Sequence, residues 1–145
     1  TIQNAKALAV ALNDLGFKVL GEKKGFTQSH QAVVNVLDYG DGGKIEADLE
    51  KANVIVNRQL IPGDIKAKRH YMHPGGIRLG SSEVTRLGMK ESEMQQIASF
   101  IKQIVIDKKD AKEIASQVAE LRKSFQKTQY CFDNKLGAYE YVKLR

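Results

Sequence analysis

The chain has 145 residues, with 23 Lys and Arg against 17 Asp and Glu, a formal net charge of +6, and 42% hydrophobic residues. That is the length of one domain and apolar enough to bury a core, which excludes a disordered chain. No apolar run nears the roughly 20 residues of a membrane span, no signal-peptide pattern opens the chain, and the lone Cys131 excludes an internal disulfide framework or a multi-cysteine zinc site.

One cysteine fits a reducing, cytoplasmic setting. The pI near 9.4 permits an anionic partner, but 28% charged residues of both signs is ordinary for a solvated surface. Thr1 is not a natural start residue, so the chain is expected to be processed, engineered or incomplete.

Ile2, Ala5, Leu8, Ala9, Leu12 and Leu15 recur at three-and-four spacing and predict an amphipathic helix, which Gly16 can end in a left-handed turn. Residues 17–20 (FKVL) predict a short strand and 21–25 (GEKKG) a flexible polar connection. Residues 31–37 (QAVVNVL), rich in β-branched side chains and too short for a typical helix, predict a central strand. Residues 38–43 (DYGDGG) form a turn in which three glycines make positive φ cheap. A helix over 44–52 and a strand over 54–56 follow.

From residue 57 the pattern breaks for about twenty residues. Pro62-Gly63-Asp64 turns the chain, and Lys66, Lys68 and Arg69 lead to His70, Tyr71, His73 and Pro74. Residues 76–81 (GIRLGS) predict a strand with Ile77 and Leu79 on one face and Arg78 on the other. Long ordered loops usually carry function, so a site is expected here.

Met94, Ile97, Ala98, Ile101, Ile104 and Val105 then define one helix face, with Glu91 and Glu93 near its positive end. Asp110 and Glu113 resemble a capping box opening a last helix with the face Ile114, Val118, Leu121 and Phe125. The tail from Cys131 has no clear period. Three or four strands with helices grouped around them predict an α+β fold rather than a doubly wound sheet.

Few residues promise chemistry. His70 and His73 stand three apart beside a proline, where no helix holds both rings to one side, and no Cys pair supports a metal. Cys131 lacks a neighbouring His and reads as structural. GDGG and PGGIRLG match neither phosphate-binding glycine motif. The basic residues spread over several segments without interleaved aromatics, so nucleic acid is not expected. Arg78 differs: it lies mid-strand between apolar residues, flanked by Gly75, Gly76 and Gly80. A guanidinium there can grip a carboxylate through two parallel hydrogen bonds, as Lys cannot; pairing with a structural Asp or Glu is the equal alternative.

Residues 74–101, PGGIRLGSSEVTRLGMKESEMQQIASFI, resemble the carboxyl-terminal segment of serine hydroxymethyltransferases, whose SGIR run is followed by a T-R pair, Gly and Met or Phe. AKALAVALNDLGFKVL (5–20), SHQAVVNVL (29–37) and KIEADLEKANVIVNRQLIPGD (44–64) agree with the opening elements of that family's small domain, in order. The likeness runs from Ala5 to roughly Phe132, and SSEVTRLGM looks closest to archaeal-type members.

The resemblance implies a fold-type-I pyridoxal-phosphate enzyme that interconverts serine and glycine with a reduced folate or other tetrahydropterin. It implies a short, mainly antiparallel sheet packed with helices over 1–132 and a large cofactor-binding domain preceding Thr1; residues 133–145, whose GAYEYVKLR has no counterpart in the family, are expected to be a C-terminal extension. No lysine here lies in the family's TTTTHK setting, so neither the catalytic lysine nor the cofactor-binding residues are expected in this chain. Carried over by position, Arg78 matches the arginine that binds the substrate α-carboxylate. Thr85 and Arg86 match the T-R pair, with a structural or supporting role, and His30 matches the residue opening the central strand. Asn57, Pro62 and Asp64 match an N-K-N-x-x-P-x-D run in which Gln59 replaces the asparagine that helps contact the pterin. Gly75 replaces the usual Ser.

A homodimer is implied for the parent protein. The nearest alternative is another enzyme of the same fold type, such as a threonine aldolase or an acyltransferase; a non-enzymatic RNA-binding module is the alternative from another class, and its nucleic-acid affinity would fall steeply with salt.

Overall fold

The computed structural model describes residues 1–129. Its first helix, α1 (Ile2–Asp14), buries Ala5, Leu8, Ala9 and Leu12, as their spacing predicts, and Gly16 follows at φ +98°. Ile2, placed on that face by spacing, is 54% exposed because it opens the first turn, beyond the reach of the core. Strand β1 (Lys18–Val19) keeps only two residues of the predicted four. The connection after it is not loose: Glu22–Lys24 form one 3-10 turn between Gly21 and Gly25, both left-handed.

Strand β2 (Gln31–Asn35) is central and stops short of Leu37, because Asn35 turns its side chain back onto the Leu37 backbone N–H, 3.0 Å away. Helix α2 (Gly42–Glu50) is capped by Asp41, whose carboxylate accepts from the Lys44 N–H at 2.9 Å. Of the three glycines before and in it, only Gly40 takes a positive φ. Gly42 is needed for proximity instead: its N–H donates to Pro74 O at 2.6 Å, and a Cβ would collide with Gly76 O.

The strand expected at 54–56 lies three residues later, as β3 (Asn57–Gln59). The apolar run does not make the strand: Val56 belongs to the core without pairing, Ile55 is 75% exposed, and the polar Asn57, Arg58 and Gln59 carry the ladder. On the outer edge of β3 the Arg58 N–H meets Glu46 Oε1 of α2 at 3.2 Å, and the Arg58 guanidinium pairs with the same carboxylate. An open edge donor is thereby occupied.

Strand β4 (Gly76–Gly80) pairs antiparallel with β2 and β3, giving the order β1-β2-β4-β3. A short helix not foreseen from the sequence, α3 (Ser82–Arg86), follows. Helix α4 (Glu91–Val105) buries Met94, Ala98, Ile101, Ile104 and Val105 and packs along α1; Glu93 accepts from the Lys90 N–H at 2.7 Å. In α5 (Ala111–Lys123) Asp110 accepts from the Lys112 N–H at 3.2 Å, and Ile114 is its one buried residue; Val118, Leu121 and Phe125 pack partly buried at the core's margin.

Helices and sheet meet in one apolar cluster. Val19, Ala32, Val34, Ile77 and Leu79 point into it from the strands, and Leu8, Leu12, Ile45, Leu49, Met94 and Ile101 from the helices. The fold is α+β, as predicted, with an entirely antiparallel sheet. Cys131, Phe132 and the proposed extension 133–145 lie outside the described residues.

Candidate functional site

Side chains alternate across a strand, so the register fixes what shares a face with Arg78. Arg78 stands opposite Val33 of β2 and Asn57 of β3, while Gln59 stands opposite Gly76. Arg78, Val33, Asn57, Gln59, Gln31 and Asn35 therefore lie on the face away from the helices. Arg78 and Gln59 are diagonal neighbours, a relation that sets Cα atoms about 7–8 Å apart. Arg78 and Gln59 are half-buried and Asn57 is exposed.

No described residue makes a hydrogen bond or ion pair with the Arg78 guanidinium. The structural alternative, pairing with an internal Asp or Glu, thus has no partner among the described residues. The cation stands on an open polar face, ready for a planar anion such as a carboxylate. Gln59 Nε2 donates to Leu60 O at 3.0 Å.

The glycines that flank Arg78 leave the backbone uncrowded on one side only. A Cβ at Gly80 would meet nothing within 4 Å. A Cβ at Gly76 would strike Ile61 Cγ2, and one at Gly75 would stand 2.6 Å from Asp64 Oδ1. The loop between β3 and β4 is thus folded down over the start of β4, which explains a glycine at position 75.

Asp64, in sequence one position of the NRQLIPGD run, organises that loop. It is 2% exposed, and its Oδ2 accepts from the Ile61 N–H at 2.9 Å and the Gly75 N–H at 2.7 Å. Arg69 Nε lies 3.7 Å from its Oδ1. Spacing alone offered no signal for this role, since the partners are three residues before and eleven after.

The other matched residues take supporting places. His30 contributes its backbone: its carbonyl accepts from the Ser81 N–H at 2.9 Å and the Ser81 hydroxyl at 3.1 Å, while its ring is exposed. Thr85 donates its hydroxyl to Ser81 O at 2.6 Å and accepts from buried Asn4 Nδ2 at 2.8 Å, tying α3 to α1. Arg86 pairs with Glu83 at 2.8 Å. Pro62 is exposed in the turn. His73 Nδ1 lies 3.2 Å from Asp41 Oδ2, and His70 Nδ1 accepts from the Met72 N–H at 3.3 Å, so the two rings do not converge. The Lys44 N–H holds the Asp41 carboxyl below its ordinary range; partial burial opposes the shift and His73 reinforces it. Among the described residues no His, Cys, Asp and Glu group could hold a metal, and no helix is long and apolar enough to cross a membrane.

Pyridoxal phosphate, which the resemblance implies, does not fit the described residues. The buried polar or charged ones are Asn4, Asp64 and Ser81, so no described lysine sits in the desolvated setting that makes its amine a nucleophile.

The antiparallel sheet backed by helices has the architecture of the small domain of a fold-type-I pyridoxal-phosphate enzyme. It superposes on an L-threonine transaldolase from Pseudomonas fluorescens, solved in an internal aldimine state, with a TM-score of 0.77 and 34% identity, over 94% of this chain and 30% of that one. The serine hydroxymethyltransferase family model matches residues 1–101, and the chain belongs to that family. It is 75% identical over 144 residues to the serine hydroxymethyltransferase of Nitrosopumilus maritimus and 71% identical to that of Cenarchaeum symbiosum, covering 99% of this chain and 33% of each relative. The enzyme of Korarchaeum cryptofilum shares 51% over 140 residues, 97% of this chain and 32% of that protein. These relatives are archaeal, as the SSEVTRLGM segment suggests, and the chain spans about a third of their length.

Proposed function

We propose that this chain is the small domain of a cytoplasmic, homodimeric serine hydroxymethyltransferase, and that Arg78 holds the α-carboxylate of serine or glycine. The observation that supports the reading is a half-buried guanidinium, without a partner among the described residues, on the sheet face away from the helices in a chain of this family. Two parallel N–H groups meet the two carboxylate oxygens, neutralise the substrate's charge and fix its rotation about Cα. A contact remote from the reacting bond thereby chooses which bond is aligned for reaction, so it governs reaction choice as well as affinity.

Gln59, diagonal to Arg78, is proposed to contact the reduced folate or other tetrahydropterin. Pyridoxal phosphate supplies the electron sink of such enzymes; the proposal assigns its lysine and its anchors to a large domain preceding residue 1. The test is turnover of serine by the full-length protein with and without tetrahydropterin. Glycine formation that requires the pterin supports the reading, and pterin-independent cleavage at the same rate overturns it.

The 34% identity to a threonine transaldolase, together with Gln59 in place of asparagine, favours one second reading: an aldol-type enzyme of the same fold that dispenses with the pterin. Threonine cleavage without pterin, faster than pterin-dependent serine turnover, is its signature.

A further inference from the structure

We propose that Asp64 is a positioning residue that sets Arg78 and Gln59 together, a proposal that rests on the site reading above. One nearly inaccessible carboxylate oxygen takes both the Ile61 N–H, two residues past the end of β3, and the Gly75 N–H, one residue before β4 begins. Asp64 N–H returns to Ile61 O at 3.0 Å, so the turn closes on itself. Ile61 in turn lays its side chain over Gly76, the residue that faces Gln59 across the ladder and stands two before Arg78 on the same face. The start of β4 is held from its other side as well: Val36 N–H donates to Gly75 O at 3.0 Å and Gly42 N–H to Pro74 O at 2.6 Å.

The Asp64 carboxylate bonds to neither Arg78 nor Gln59, yet it staples the strand that carries Gln59 to the strand that carries Arg78. Both N–H donors are buried and need an acceptor. Replacing Asp64 by asparagine retains one oxygen but turns an amide N–H₂ toward the donors or toward Arg69. The staple slackens and the two strand ends lose their common register. A displacement near 1 Å can cost on the order of a hundredfold in a positioned reaction, so a partial slip is expected to cost about tenfold.

The experiment compares four variants of the full-length enzyme. Arg78→Lys is expected to lower kcat/KM for serine with the pterin KM unchanged, and Gln59→Ala to raise the pterin KM with serine little affected. Asp64→Asn is expected to do both, about tenfold each, in enzyme that is folded and cofactor-loaded. Arg69→Ala, which removes an exposed partner of Asp64, is expected to shift both parameters in parallel by about threefold. A Tm loss in Asp64→Asn or, should that variant not fold, in Arg69→Ala, with both parameters of the folded enzyme within about twofold of wild type, overturns the proposal; so does a shift in one parameter alone. If Arg78→Lys and Gln59→Ala leave their own parameters unchanged, the reading of the site falls first and the staple's function with it.

Discussion

On the helix-backed face of the sheet, Ala32, Val34, Ile77 and Leu79 are at most 5% exposed; on the opposite face, Gln31, Val33, Arg78 and Gln59 remain partly accessible and Asn57 is exposed. The two sets alternate along the same strands, so one pleat separates the face that holds the domain together from the face proposed to bind substrate. Neighbouring residues of β4 should therefore fail in different ways. Ile77 should fail as a core residue and Arg78 as a binding residue.

The largest effect is expected at Arg78. In the full-length enzyme Arg78→Ala should nearly abolish turnover, and Arg78→Lys, which keeps the charge but loses the planar fork, should lower kcat/KM by on the order of ten- to a hundredfold or more. A hydrogen bond between charged groups is worth roughly 1.5–3 kcal/mol. The Tm should hardly move, since the guanidinium has no described partner to lose. A folded Arg78→Ala enzyme with unchanged kcat/KM for its amino acid would end the division of labour between the faces. A second, independent check is chemical: pyridoxal phosphate added to this chain alone, followed by borohydride, should label no single lysine, and stoichiometric labelling at one site would contradict that.

Next comes Ile77, fully buried on the other side of the pleat. Ile77→Ala should destabilise the chain by about 2–5 kcal/mol through lost burial and a residual cavity, read from denaturant midpoints at unchanged slope. A loss below about 1 kcal/mol would mean that the helix-backed face is not the stabilising one.

Two glycines of the same strand sharpen the contrast. Gly76→Ala pushes a methyl group into Ile61 Cγ2 and to 2.9 Å from Val34 O, so about 1–3 kcal/mol should be lost. Gly80→Ala meets nothing within 4 Å and should stay within about 0.5 kcal/mol of wild type. Equal losses at both would show that the loop does not lie over the start of β4.

What the sequence made legible follows from which interactions are local. Periodicity locates α1, α2 and α4 because each buries one stripe, β-branched richness in a short run locates β2, and alternation locates β4 because it buries one row. Strand β3 escaped, because its Asn57, Arg58 and Gln59 show no apolar alternation and pair only once β4 and Glu46 are beside them. The motif DGG gave the wrong reason for its glycines, since close approach of two backbones cannot be read from one segment. Arg78 was conspicuous as a lone cation among apolar and glycine residues; whether an acid elsewhere would pair with it needed the structure. Asp64 was nearly silent, because a carboxylate's importance here depends on a loop closing over eleven residues.

The smallest expected effect lies at the α2 cap, where electrostatics rather than packing is tested. Asp41 accepts from the Lys44 N–H, which lowers its pKa, with His73 adding to the shift. A folded-state pKa below the unfolded one means that the unfolded chain binds more protons in acid, so this contribution to stability rises with pH. It should be complete above the unfolded carboxylate value near 4 and should disappear as the pH falls through the lowered folded value. Asp41→Ala should therefore cost about 1 kcal/mol near neutral pH and progressively less in acid. Asp41→Asn keeps a cap acceptor without the charge and should recover much of the loss with a flatter pH profile. The measurement is the denaturant midpoint of the three chains from about pH 7 to about pH 2.5. A difference between wild type and Asp41→Ala that stays constant over that range would show that the capping carboxylate contributes through shape alone, and that α2 meets the loop before β4 without electrostatic help.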